Sequence, residues 1–393
     1  MKTTMRKALV ILGLTVLVIA GVEGVLYAVG AVRLGTAEEE MEARFGAERL
    51  TELAPPRVPA HENGASLIFG AGAATMVPEG SNVSEILAVG NPAGKWSGED
   101  WTRVEELVAE NEAAWGLFLQ GVAAERVGFN LDYDQGAAME LPNFLELIRL
   151  GKLARARGEL ALRRGDTVGL EEALRGLRSL VEANYRESTL ITALVGFALE
   201  RQQLQLVRSA LARGPDRVDL SILDEILLQI SVEEVVKRGF AAEAVLLGNM
   251  DPDDRLGGTE TSPVRITMLR PFDPLVTAGA LDYYESMMAA AGRPLVEIRE
   301  EVEEGVLRPG PWARLSPMIP DLSNILERAK ATAATRQLAR VAIELAREAD
   351  ATGDYPKDLR SPPRSPYTGS PLPLTPSRKG GVVLSVPGAD ELW

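Results

Sequence analysis

The chain has no cysteine and a single histidine, His61, among its 393 residues. Without cysteine it can form no disulfide, thiolate metal site or thiol nucleophile, and no cysteine follows the apolar N-terminal run to carry a lipid. One histidine cannot build a multi-histidine zinc site. Any serine–histidine chemistry would have to pass through His61, and no Gly-x-Ser-x-Gly elbow accompanies it. His61 is therefore read as a structural or capping residue. Aromatic residues are scarce at 5%. Leu, Ala, Glu and Arg dominate instead, a mix that favours helix over sheet. Basic residues are in deficit, 42 against 56 acids for a net charge of −14, and no basic stripe lies outside the N-terminus. That balance argues against a nucleic-acid partner.

What the chain does have is a long apolar run at its start. Lys2, Arg6 and Lys7 precede it, and Ala8 to Val32 are apolar apart from Thr15 and Glu23. A run of 25 residues exceeds the ~20 a helix needs to cross a bilayer. The basic flank predicts a single-pass anchor in the cytoplasmic membrane through residues 8–32, with residues 34–393 on the extracytoplasmic, periplasmic side. Glu23 in the run costs ~2.5–3.5 kcal/mol at a membrane centre and less toward the interface, where its position past the midpoint puts it. The alternative is a cleaved signal peptide, with Ala8 to Val22 as its core, Ala28-Val29-Gly30 as its cleavage site and a secreted product.

The rest reads as mainly α. After the anchor at 1–33, residues 34–97 read as a charged stalk helix and a Gly/Pro-rich segment. Gly70-Ala71-Gly72-Ala73-Ala74 within it lacks the strand–turn–helix context of a dinucleotide loop and reads as a connector. A helical-hairpin domain follows over 98–250. Ser97 is its N-cap, with Asp100 three residues on, and Trp101, Val104, Leu107 and Val108 mark one face. From Phe144 to Leu211 three stripes follow one another. They are Leu147, Leu150, Ala154, Gly158, Ala161; then Leu170, Leu174, Leu177, Val181; then Leu190, Leu194, Phe197, Leu204, Val207, Leu211. Gly165-Asp166 ends one helix and caps the next. Short joins between helices of similar length predict antiparallel hairpins in a bundle or irregular α-solenoid. Residues 251–352 read as a second helical part with a Pro-rich connector, in which Asp321 caps a final helix that Gly353 ends. Residues 353–393 read as a Pro-rich β module with its strand at Val382-Val383-Leu384, docked on that final helix.

Several acids could be oxygen ligands for calcium. Asn130, Asp132, Asp134 and Gly136 resemble the start of a calcium loop, but Gly136 and Glu140 are out of register with an EF-hand. Asp251, Asp253 and Asp254 form a second cluster. Both also read as Asx-rich turns. No pair among the 56 acids is singled out for glycoside cleavage.

Three resemblances add to this. Gly158 to Asp166, with Ala173 and Leu174 following, resembles the middle of a tetratricopeptide repeat, which implies paired antiparallel helices and peptide binding over 144–211; no regular 34-residue period accompanies it. Gly353, Tyr355, Pro356, Leu359, Tyr367, Gly369, Pro371, Gly381, Ser385, Gly388 and Asp390 resemble the C-terminal module of type II secretion pseudopilins, over 353–390. That resemblance implies a small β element and calcium in the terminal loop, with Asp390 as a ligand. The whole layout, including Pro59, Glu62, Asn63, Gly64 and Ala65, resembles a group of uncharacterised bacterial membrane-anchored helical proteins. Two functions from different classes fit. The first is a membrane-tethered helical scaffold for a protein or peptide partner. The second is an extracytoplasmic hydrolase with a carboxylate-based, calcium-dependent site, for which no catalytic residue stands out; Asp132, Asp134 and Asp390 are its candidate metal ligands.

Overall fold

The computed structural model describes residues 2–77, 82–88, 91–213, 218–251, 270–315, 319, 321–356, 362–376 and 382–386, without the side chains of 2–20, 82, 271, 376 and 382–384. Lys2–Glu39 form one helix, α1. Its later part does not stand free. Glu23, Leu26 and Leu34 are half-buried and Gly30 and Ala37 buried, a stripe at helical spacing that faces the protein. A second stripe on the same helix, Val22, Val25, Val29 and Val32, is exposed. Among the described residues no helix is long and apolar enough to cross a membrane. The expected span over 8–32 is thus not shown: its first 13 residues carry side chains outside the description, and from Glu23 on one face is covered by protein rather than lipid.

The covering element is α12 (Asp273–Ala291). A Cβ on Gly30 would come within 2.9 Å of Leu275, so the two backbones approach as only glycine allows. Charges at the rim complete the contact. Arg33 meets Asp282 at 2.9 Å, and Arg44, on the short α2 (Met41–Phe45), meets Asp282 at 2.8 Å and Glu285 at 2.7 Å.

The body is built on α7 (Phe144–Arg164), α8 (Thr167–Arg186) and α9 (Leu190–Ala212). Each of the three expected stripes is inward: Leu147, Leu150, Leu174, Leu177, Val181, Leu204 and Val207 are fully buried. Gly165 closes α7 at φ +72°, and Asp166 caps α8 by accepting from the Gly169 N–H at 3.0 Å. Thr189 caps α9 by accepting from the Thr192 N–H at 3.2 Å. Helix α7 packs on both α8 and α9, and α8 on α9, so the three helices share one interior.

Other helices cover this bundle. On one side α3 (Ala65–Ala74) packs on α6 (Glu112–Val122) and α7, with α5 (Gly98–Glu110) also on α7. The Gly/Ala run expected as a connector is therefore a helix, because its small residues let it lie against α7: Gly72 sits over Glu146. Ser97 caps α5 as expected, its Oγ accepting from the Asp100 N–H at 3.1 Å. On the other side are α11 (Val232–Gly248), α12 and α14 (Ser323–Thr352), with α14 on both α9 and α11. Short helices α4 (Asn82–Ile86), α10 (Leu220–Glu225) and α13 (Leu295–Glu303) fill the joins. One contiguous hydrophobic cluster runs from Ala37 to Val386.

The C-terminal module pairs β1 (Leu374–Pro376) antiparallel with β2 (Val382–Leu384), Thr375 opposite Val383. The chain leading into it is hydrogen-bonded to α13, and Pro366 also borders a cavity with Leu326, Ala329 and Ala333 of the final helix. The Pro366 and Tyr367 carbonyls accept from the Leu295 and Val296 N–H groups at 3.0 and 2.9 Å. Pro294 at the head of α13 has no side-chain acceptor to offer these N–H groups, and the C-terminal chain supplies one.

Candidate functional site

Three polar clusters lie inside the body. Arg155 of α7 is wholly buried; its guanidinium donates to the carbonyls of Leu87, Ala88 and Asn91 and to Gln202 Oε1 at 2.7–3.2 Å. It clamps the chain after α4 onto the bundle. One turn on, Glu159 lies 3.8 Å from Arg155 Nε and accepts from Ser209 Oγ at 2.8 Å. Burial pushes its carboxyl up to about 7, against the opposing pull of Arg155. Arg336 of α14 grips both oxygens of Glu200 on α9 and donates to the Ile230 carbonyl. Tyr185 of α8 donates to the same Glu200 at 2.5 Å, and burial drives its phenol well above the usual range. Glu187 accepts from Tyr133 Oη at 2.9 Å and from the Phe129 N–H at 3.1 Å, and burial raises its carboxyl. Each cluster ties together separate segments in the interior, and Glu159, Glu187 and Glu200 line none of the cavities described below.

Charged side chains line several cavities, among them two at helix ends. The first, about 440 Å³, opens where the C-terminus of α7, the N-terminus of α8 and the C-terminus of α9 meet. Arg163, Arg164 and Arg213 line it, together with Asp166 and the apolar Leu162 and Leu170. Arg163 is held by stacking on Trp101, 4.6 Å from the ring centre, and Arg164 lies 3.5 Å from Glu105. The second, about 240 Å³, lies between α11, α12, α14 and Pro366, with Lys330 in its wall.

The acids singled out in the sequence do not converge. Asp132 accepts from Gln135 at 2.8 Å and lies 3.4 Å from Arg57, and Asp134 lines a separate cavity of about 200 Å³ with Arg57 and Tyr133. Asn130 closes this loop on the N-terminal segment, its amide paired both ways with the Val58 backbone at 2.9 Å. Among the described residues no group of three or more acids or histidines could hold a metal ion. Asp390, Asp253 and Asp254 lie outside the described residues. His61 is exposed, 3.3 Å from Glu62, rather than built into the core.

Neither the arginine cleft nor the Lys330 cavity stood out in the sequence. The adjacent Arg163 and Arg164 meet Arg213, 50 residues after Arg163, only because α9 returns to the end where α7 stops. Lys330 did leave a signal: it interrupts the apolar i, i+4 stripe Leu326, Ala334, Leu338. Comparison of the chain with protein-family models, with curated proteins and with solved structures finds no match.

Proposed function

We propose that the protein is a membrane-tethered helical scaffold that binds a protein or peptide partner on the extracytoplasmic side. One observation carries this reading. Helix α1 is continuous from Lys2 to Glu39, and its later part, while docked on the body through one face, presents Val22, Val25, Val29 and Val32 outward. Exposed valines in a stripe are costly in water and favourable in a bilayer or its interface. The basic flank of Lys2, Arg6 and Lys7 orients the helix. The raised carboxyls of Glu159 and Glu187 are spent on internal clusters and not in a cleft, which favours a scaffold over a carboxylate hydrolase. The arginine-lined cleft offers a cationic spot on an acidic protein and suits an acidic segment of the partner.

The tether is tested by fractionation. The protein stays with membranes through high-salt and carbonate washes, and external protease degrades residues 34–393. Release of a soluble form beginning near Ala31 overturns the tether in favour of a cleaved leader. The partner is tested by affinity capture from detergent-solubilised membranes, with Arg163→Glu/Arg164→Glu weakening the capture of an acidic partner.

A further inference from the structure

The cavity between α11, α12 and α14 has the makings of a ligand site independent of the tether. Its walls are mostly apolar, with Val232, Val236, Leu326 and Pro366 among them. An apolar lining with a few placed polar groups is the usual character of a small-molecule pocket. Lys330 enters this wall from α14 and is only 8% exposed. A buried ammonium is expensive unless it is paired. The hydrogen bond from its Nζ goes to the Ala291 carbonyl at the end of α12, at 2.5 Å. That contact caps α12 and accounts for one of three N–H donors. Burial pushes the Lys330 ammonium below its ordinary range. Glu233 also borders the cavity; its Oε1 lies 2.6 Å from Lys237 Nζ, and both of these charges act on Lys330 as well.

The second cationic feature is the N-terminus of α11. This helix has 17 residues, and Ser231 at its head makes no capping hydrogen bond with its hydroxyl. Ser231, Val232 and Glu233 all border the cavity. The first N–H groups of a helix are unpaired within it and attract anions. Buried lysine, uncapped helix and apolar walls therefore meet in one space of about 240 Å³.

We propose that this cavity binds a small apolar carboxylate, its oxygens on Lys330 Nζ and the first turn of α11, its hydrocarbon part among Val232, Val236, Leu326 and Pro366. A monoanion suits a site where the charges of Lys330, Lys237 and Glu233 sum to one positive. A phosphate dianion would bring excess charge next to Glu233 and leave the apolar walls unfilled. The same chemistry has two sources, a free short-chain acid or the C-terminal carboxylate of a peptide ending in Val or Leu.

Thermal melting and calorimetry on the full chain in detergent test this, with isovalerate as the probe and 3-methylbutanol and inorganic phosphate as controls. Isovalerate raises the melting temperature in a saturable way, and the two controls do not. Lys330→Met, which keeps the volume and removes the charge, abolishes the shift. Ala333→Phe, which fills the cavity and leaves the lysine in place, abolishes it too. A valine-ended pentapeptide with a free carboxylate that binds more tightly than isovalerate, while its amide does not bind, identifies a chain end as the source. Binding of isovalerate alone identifies a free acid. Equal shifts from acid and alcohol, no shift with any carboxylate, or a shift that survives in Lys330→Met or in Ala333→Phe overturns the proposal.

Discussion

Gly158 is the point where α7 and α9 have least room. A Cβ there would collide with the Leu206 side chain, so the contact depends on a missing side chain. Gly158→Leu overpacks it and lowers stability by ~1–3 kcal/mol, read from thermal or urea melts; an unchanged melt would mean the helices do not pack at this residue. The buried ion pair behaves differently. Arg336 and Glu200 are 6% and 1% exposed, and removing one leaves the other charge unpaired in the core. Glu200→Ala should cost about 3–5 kcal/mol, and pairing it with Arg336→Met should recover part of that loss. Glu159 gives a pH dependence. Its carboxyl is raised to about 7 in the folded state against an ordinary 4.5, so the folded protein holds the proton more tightly. The contribution is full below pH 4.5 and is lost as pH rises through 7. Melting temperature followed from pH 5 to 8 should fall less steeply in Glu159→Gln than in the parent protein.

At the scale of elements, most helices follow from their own residues, but their docking does not. The Ser97–Asp100 and Gly165–Asp166 signals place helix ends because caps and left-handed glycines satisfy backbone groups locally. Helix α13 escaped the sequence reading because it is short, lies between prolines and has no side-chain cap. Its first N–H groups depend on carbonyls about 70 residues away. Hydrogen exchange checks this directly. The amides of Leu295 and Val296 should be protected in the full chain and exchange fast when residues 354–393 are deleted, whereas the amides of α8 keep their protection. Protection that survives the deletion would show that α13 is held by something else.

At the scale of the molecule, the core is continuous. Trp96, Trp101 and Trp115 belong to the same cluster as Leu338 and Ile343 of α14, more than 200 residues later. Tryptophan fluorescence of a Trp312→Phe/Trp393→Phe variant, which keeps Trp96, Trp101 and Trp115 of the first half, should therefore change at the same temperature as helical circular dichroism. Two separated transitions would mean that the helical parts fold as independent domains. The valine stripe Val22, Val25, Val29 and Val32 of α1 is the part of this helix that the body leaves exposed among the described side chains.

Helical class, the three central helices and their inward faces were legible in the chain itself, since 3.6-residue periodicity and end caps are properties of neighbouring residues. So was the strand at Val382–Leu384, a β-branched pair among turn residues. The candidate sites were not. Asp132 and Asp134 look like ligands in a row of alternating acids, yet Arg57 and Gln135 occupy Asp132, and Asn130 spends its amide on Val58. Arg163, Arg164 and Arg213 become one cleft, and Lys330 a buried amine beside the uncapped α11, only through the crossing of helices distant in sequence. Periodicity tells a residue which side of its own helix it is on; which other helix, charge or empty space it meets there is decided by packing, and the chemistry of a site depends on that meeting.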